Sequence, residues 1–197
     1  MVEKARTSTA PKAASKYRKG SMVVYPAHGL GKVLGTEIRE ISGHSLELIV
    51  IHFEKDRMTL RVPFDKARNS GLRGLSSLEL MDEAIETLKG RAQKGRAIWA
   101  RRAQDFGAKI SSGNPIRIAE VVRDLHVNVD APNRSYSERQ IYEAALDRLV
   151  RELAAVAGVG EQTANQRVLK AADAPKIVGK PKMDAAKVVD APTAVAA

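Results

Sequence analysis

The chain has 197 residues, 44% of them hydrophobic. That suits one ordinary domain or two small ones with modest cores, and excludes a wholly disordered chain. There is no cysteine, which removes disulfides and thiolate metal sites. The formal net charge of +10 favours polyanionic partners. No apolar run resembles a signal-peptide core or approaches the ~20 residues of a membrane helix, so a soluble cytoplasmic protein is expected.

The charge is unevenly placed. Residues 1–20 carry six basic groups and one acidic, and residues 89–109 carry seven and one, whereas residues 21–80 are nearly neutral. In chain order, residues 1–19 are rich in Ala, Lys, Ser, Thr and Pro without periodicity and are expected to form a disordered basic tail. Met22-Val23-Val24-Tyr25 reads as a strand ended by Pro26, which has no amide to donate. Gly29-Leu30-Gly31 marks a bend or bulge. Lys32 to Ile41 continues extended, broken by Gly35, to the turn pair Ser42-Gly43. Ser45 to Phe53 is rich in β-branched residues. After Lys55-Asp56-Arg57, the alternation of Met58, Leu60 and Val62 with Thr59 and Arg61 gives one more strand before Pro63. Four or five short antiparallel strands of this kind predict a small Tudor- or SH3-like barrel.

From about residue 77 the apolar period becomes helical. Leu78, Met81, Ile85 and Leu88 share a face in a segment ended by Gly90. A helix is expected over residues 97–111, its start blurred by Gly95. Asn114-Pro115 is a helix start, Asn capping and Pro fitting the first turn. Ile118, Val121, Val122 and Leu125 line that helix. Ser135 with Glu138 has capping-box spacing and opens a helix with Ile141, Ala145, Leu149 and Leu153 inward. Residues 160–171 have the pattern of one weak helix, and the remainder is rich in Ala, Pro, Lys and Val. The fold class expected is α+β: a Tudor/SH3-like antiparallel barrel followed by a compact all-α domain, with disordered tails. The boundaries are a tail over 1–19, the barrel over 20–70, the helical domain over 71–158 and a low-complexity tail over 159–197.

Little in the chain points to catalysis. His28, His44, His52 and His126 are not paired at metal-ligand spacing. No Gly-x-Ser-x-Gly elbow is present. Gly29-Leu30-Gly31-Lys32 fails as a phosphate loop, because Val33 stands where a hydroxyl residue would hold magnesium. No metal, cofactor or small-molecule substrate is expected, and the protein is not read as an enzyme.

The stretch Lys89–Lys109 carries the chemistry. Arg96 and Arg102 lie three residues from Trp99 on either side, with Arg101 toward the other edge of the helix. Arginines can hold phosphates and release counterions, and a flat ring can wedge against an unstacked base at a distorted step. A solvated basic helix whose one tryptophan plugs the core fits the same residues. Neither a helix-turn-helix signature nor a base-reading pattern is apparent.

Three segments together resemble the CarD/CdnL family of bacterial transcription regulators. Val23-Val24-Tyr25-Pro26-Ala27-His28-Gly29-Leu30-Gly31 is similar to the family's opening strand and bend. Thr59-Leu60-Arg61-Val62-Pro63 is similar to the last strand of its first domain. Trp99-Ala100-Arg101-Arg102 and Ala119-Glu120-Val121-Val122-Arg123-Asp124-Leu125 are similar to its C-terminal domain. The resemblance covers about residues 17–157. It implies that the first domain binds the β subunit of RNA polymerase by strand addition, with Arg39 and Arg61 at the contact. It also implies that the helical domain lies on promoter DNA at the upstream edge of the melted bubble. There Trp99 inserts, Arg101 and Arg102 hold phosphates, and the open complex is stabilised. Arg96 receives no role from the resemblance, and Ala119–Leu125 is read as scaffold with Arg123 open to exposure. The alternative is a nonspecific DNA- or RNA-binding architectural protein with a Tudor-like module. A monomer is expected, cytoplasmic and associated with the nucleoid through RNA polymerase.

Overall fold

A computed structural model of the chain describes residues 17–41, 44–67, 69–93, 98–126 and 135–174. The first part is a five-stranded antiparallel sheet in the order β4-β3-β2-β1-β5. Its strands are β1 (Met22–Tyr25), β2 (Gly29–Ile41), β3 (His44–Phe53), β4 (Met58–Pro63) and β5 (Arg73–Gly74). Alternation on β3 and β4 sends Ile49, Ile51, Phe53 and Val62 into a core with Val23, Val33 and Leu72. The opposite face carries Leu46, Leu48, Val50 and Arg61. β4 lies at one end of the sheet and pairs only with β3 among the described residues.

The glycine bend read from the sequence has two separate jobs. The amide of His28 closes a turn onto the carbonyl of Tyr25 at 3.1 Å, and Gly29 follows with φ +76°, where a side chain would be strained. Gly31 lies inside β2, where an added Cβ would stand 2.7 Å from both Ile51 and Phe53. The glycine there admits core side chains and does not turn the chain. The sheet register slips between Val33 and Gly35, where the break in the strand pattern was read.

Two features differ from the expected tail and strand limits. Tyr17, assigned by composition to the basic tail, packs edge-on against Phe64 and donates to the carbonyl of Leu72 at 3.2 Å. β5 comes from beyond the residues read as strands, because two residues carry no alternation to read. It pairs with β1 after a short helix, α1 (Phe64–Ala67).

The helical part comprises α2 (Leu78–Leu88), α3 (Trp99–Ser111), α4 (Pro115–His126), α5 (Tyr136–Ala157) and α6 (Glu161–Asp173). Three starts are capped by side-chain oxygens. Ser77 accepts from Leu80 N at 3.2 Å, Asn114 from Ile116 N at 2.9 Å and Ser135 from Glu138 N at 3.1 Å. Of the apolar stripe expected on α2, Met81 and Leu88 are buried, with Ala84 beside them, and Ile85 packs on the same core, while Leu78 is 57% exposed. α4 is the central helix, burying Ile118, Ala119, Val121, Val122 and Leu125. α6 buries Ala164, Val168 and Ala171 in the same core, so packing continues past residue 158, where the helical domain was expected to end. Small side chains let α6 approach closely, and they are also why composition alone read there as low complexity.

Candidate functional site

On the outer face of the sheet, Arg39 and Arg61 converge on one carboxylate. The Nε of Arg61 lies 2.6 Å and that of Arg39 3.0 Å from Oε1 of Glu37. The strand register explains the convergence. Glu37 is paired with Leu48, Arg39 with Leu46 and Arg61 with Val50, all on the face away from the core. The three charged groups are partly or largely exposed, so their pairing contributes little to stability, about 0–1 kcal/mol for such a pair. Its effect is to draw both guanidinium groups together over the outer face of β2 and β3, Arg61 reaching there from β4. The part of Glu37 was legible, since an i, i+2 pair on a strand shares a face, but the sequence reading gave it no role.

The second group of expected residues sits at the start of α3. Trp99 is the first residue of that helix. It is half-buried against the helical core, its ring centroid 6.4 Å from that of Phe106. Its indole N–H donates to Oγ of Ser137, on the first turn of α5, at 3.0 Å. The guanidinium of Arg102 lies over both rings, 5.7 Å from the centroid of Trp99 and 5.6 Å from that of Phe106. Arg101 points elsewhere and is exposed. Helical spacing therefore separates the two arginines: Arg102 shares the face of Trp99 and Phe106, and Arg101 does not. The reading of the tryptophan as a plug on the core is met in part, since the residue is half-buried against the helical core. Arg96 lies outside the described residues.

Arg123 and Asp124 of α4 are paired inside the fold. Both are buried, at 8% exposure each, and Arg123 Nε donates to Asp124 Oδ1 at 2.9 Å. The same oxygen accepts from the amide of Gln93 at 2.9 Å. The scaffold reading of this stretch thus extends to Arg123, whose charge is matched inside the fold and whose partner Asp124 also holds Gln93, a few residues after α2.

The two parts of the chain are joined by arginines that sequence reasoning missed. Arg73, on β5, meets Glu152 of α5 with two parallel bonds of 2.6 and 2.8 Å, and its Nε donates to the carbonyl of Gly113 at 3.1 Å. The Glu152 carboxylate, 4% exposed, also accepts from Ser76 Oγ at 2.7 Å. Arg148 of α5 donates to the carbonyls of Pro26 and Ala27 in the turn after β1, and Lys55 pairs with Asp147 at 2.7 Å. Burial lowers the pKa of the Arg148 guanidinium, and the charges of Asp56 and Asp147 act against that shift. Nothing periodic marks such contacts, because they link residues 40 to 122 positions apart.

Three of the four histidines have partners within the fold. His28 meets Asp56 at 3.0 Å, His52 meets Thr59 at 3.2 Å, and His126 bridges Tyr142 and Asp173 at 2.9 and 2.7 Å. Among the described residues no three His, Cys, Asp or Glu side chains gather as metal ligands, and no helix is long and apolar enough to cross a membrane.

Comparison with known proteins divides the chain at the same place as the fold. Residues 17–76 match the CarD-like/TRCF RID domain and residues 83–169 match the CarD C-terminal domain. A protein of Bacillus subtilis (strain 168) named "Putative transcription factor YdeB" is 25% identical over 146 residues, covering 74% of this chain and 95% of that protein. Arg39 and Arg61 fall in the first matched domain, and Trp99, Arg101 and Arg102 in the second.

Proposed function

We propose, from the premise that this chain belongs to the CarD family of transcription regulators, that it stabilises open promoter complexes by bridging RNA polymerase and DNA. The sheet is the polymerase-interacting part. Its partner is the β subunit, which adds a strand to the free edge of β4 while Arg61 and Arg39 meet acidic groups beside it. The helical part lies on promoter DNA at the upstream edge of the bubble. Trp99 presents its open side to the distorted step, and Arg101 and Arg102 hold the flanking phosphates. No bond is made or broken by the protein.

The observation that carries this reading is the seam. Arg148 and the Arg73–Glu152 pair fix the sheet with its free edge to the helices that carry Trp99. A few cations and one half-open ring bind free DNA weakly and with little regard to sequence. Attachment to polymerase raises their effective concentration to roughly the millimolar range. Because the ring finds room only at an opened step, it favours the open complex by the difference in affinity between the two states.

Anisotropy of labelled promoter DNA, with and without polymerase, tests the reading. Weak binding alone that is rescued by polymerase supports it. Tight binding without polymerase favours a nonspecific architectural protein instead.

A further inference from the structure

The apolar groups that project furthest beside the candidate DNA contact are neighbours of Trp99 and not Trp99 itself. Ile98 is 76% exposed and Tyr136 is 75% exposed. The bond from Trp99 to Ser137 brings the starts of α3 and α5 together, and Ile98 and Tyr136 are the residues just before its two ends. Large exposed apolar groups gathered at one place mark a contact surface, whereas scattered ones need no explanation. Both break the local pattern. Ile98 occupies the N-cap of α3, where Ser, Thr, Asp or Asn is favoured, and its side chain caps nothing. Tyr136 begins α5 with its ring in solvent, yet it is not loose, since Gln140 Nε2 donates to its hydroxyl at 2.8 Å. An ordered, exposed aromatic ring loses little conformational freedom when another flat group stacks on it.

The surrounding charge selects the partner. Arg101 and Arg139 are exposed on the first turns of the same two helices, and Arg102 lies over Trp99. Cations around an aromatic ring suit a nucleotide, whose base stacks while its phosphates pair. We infer that Tyr136, flanked by Ile98, is a second stacking platform of the DNA contact. It takes an unpaired base from the single-stranded side of the fork while Trp99 packs at the duplex edge. This rests on the reading of the helical part as the DNA-contacting part. It divides the labour between two rings: the half-buried Trp99 is fixed by Phe106 and Ser137, and the exposed Tyr136 meets the base. Stacking of this kind is tolerant of sequence, because every base has a flat face.

The test uses the full chain, bacterial RNA polymerase and a promoter carrying a fluorescent adenine analogue at the upstream edge of the bubble. Its readouts are quenching of the analogue and the protein concentration that half-maximally extends open-complex lifetime. Tyr136→Ala is expected to lose the quenching and to raise that concentration about fivefold or more, the lower end of what loss of one base–aromatic stack produces. Tyr136→Phe, which keeps the ring and loses the Gln140 bond, is expected to behave as the unsubstituted protein. Thermal melts serve as a check on folding, and the exposure of Tyr136 predicts little change. If Tyr136→Ala retains quenching and potency while Trp99→Ala loses both, the second platform is wrong and the bridging function stands. If Tyr136→Phe fails as Tyr136→Ala does, stacking is wrong. If the unsubstituted protein neither quenches nor extends lifetime, the bridging function itself has failed.

Discussion

Arg148, on α5, donates a 2.5 Å hydrogen bond to the carbonyl oxygen of Pro26, 122 residues earlier in the chain. Around it the Tyr25–Gly29 turn is closely fitted. The His28 ring stacks on Tyr25 at 5.9 Å, and Cγ of Pro26 would stand 2.7 Å from any Cβ placed on Gly71. The turn that lies in the first of the three segments similar to the family is therefore also the seat on which the helical part rests.

Replacing Arg148 with Ala removes charge-assisted bonds to at least two carbonyls and leaves them facing the seam. A loss of about 2 kcal/mol in unfolding free energy is expected from urea titration. With the seam held only by the Arg73–Glu152 and Lys55–Asp147 pairs, the protein is expected to keep its affinity for polymerase and lose part of its effect on open complexes.

Glu152 is buried and accepts from Arg73 and Ser76. Glu152→Ala leaves the Arg73 guanidinium without its countercharge, and a cost of about 3 kcal/mol is expected. Arg73→Ala is expected to cost a similar amount. The double substitution should cost less than the two singles summed, because each single already breaks the same pair. A double-mutant cycle in urea measures the difference.

Arg61→Glu places a carboxylate beside Glu37 on an exposed strand. Stability is expected to change by no more than about 0.5 kcal/mol, since the site is solvated and the lost pair contributes little. Affinity for polymerase, read by surface immobilisation of the β subunit, is expected to fall at least tenfold.

Gly31→Ala tests the packing role of that glycine. Its new methyl group would meet Ile51 and Phe53 at 2.7 Å, inside the core of the sheet. A destabilisation of about 1–3 kcal/mol is expected from overpacking, seen as a lower melting temperature.

The elements of this fold were legible wherever a local rule governs them. The β-branched run of β3, the alternation of β4 and the caps at Asn114 and Ser135 all stand where the sequence placed them. α6 and β5 were harder, for opposite reasons. α6 stands close to the weak helix read over 160–171, but it packs mostly through alanines, whose small apolar faces did not mark it as part of the core, and β5 is too short to show a period. The site residues Trp99 and Arg102 were found as neighbours on a helix, which the fold retains. That Trp99 would be tied to Ser137, that Arg123 would be buried and that Arg148 and Arg73 would hold the seam depends on long-range contacts. No spacing along the chain encodes these contacts.

The most direct measurement of the central claim is the lifetime of open complexes on a ribosomal RNA promoter with purified bacterial polymerase. It is made without added protein, with the protein, and with its Arg61→Glu and Trp99→Ala variants. Trp99→Ala also removes part of the helical packing, so its folding is checked by its melt, and Trp99→Phe is run beside it. The account predicts a longer lifetime with the protein, no extension with Arg61→Glu or Trp99→Ala, and partial extension with Trp99→Phe. An unchanged lifetime with the protein, or an extension that survives both Arg61→Glu and Trp99→Ala, would contradict it.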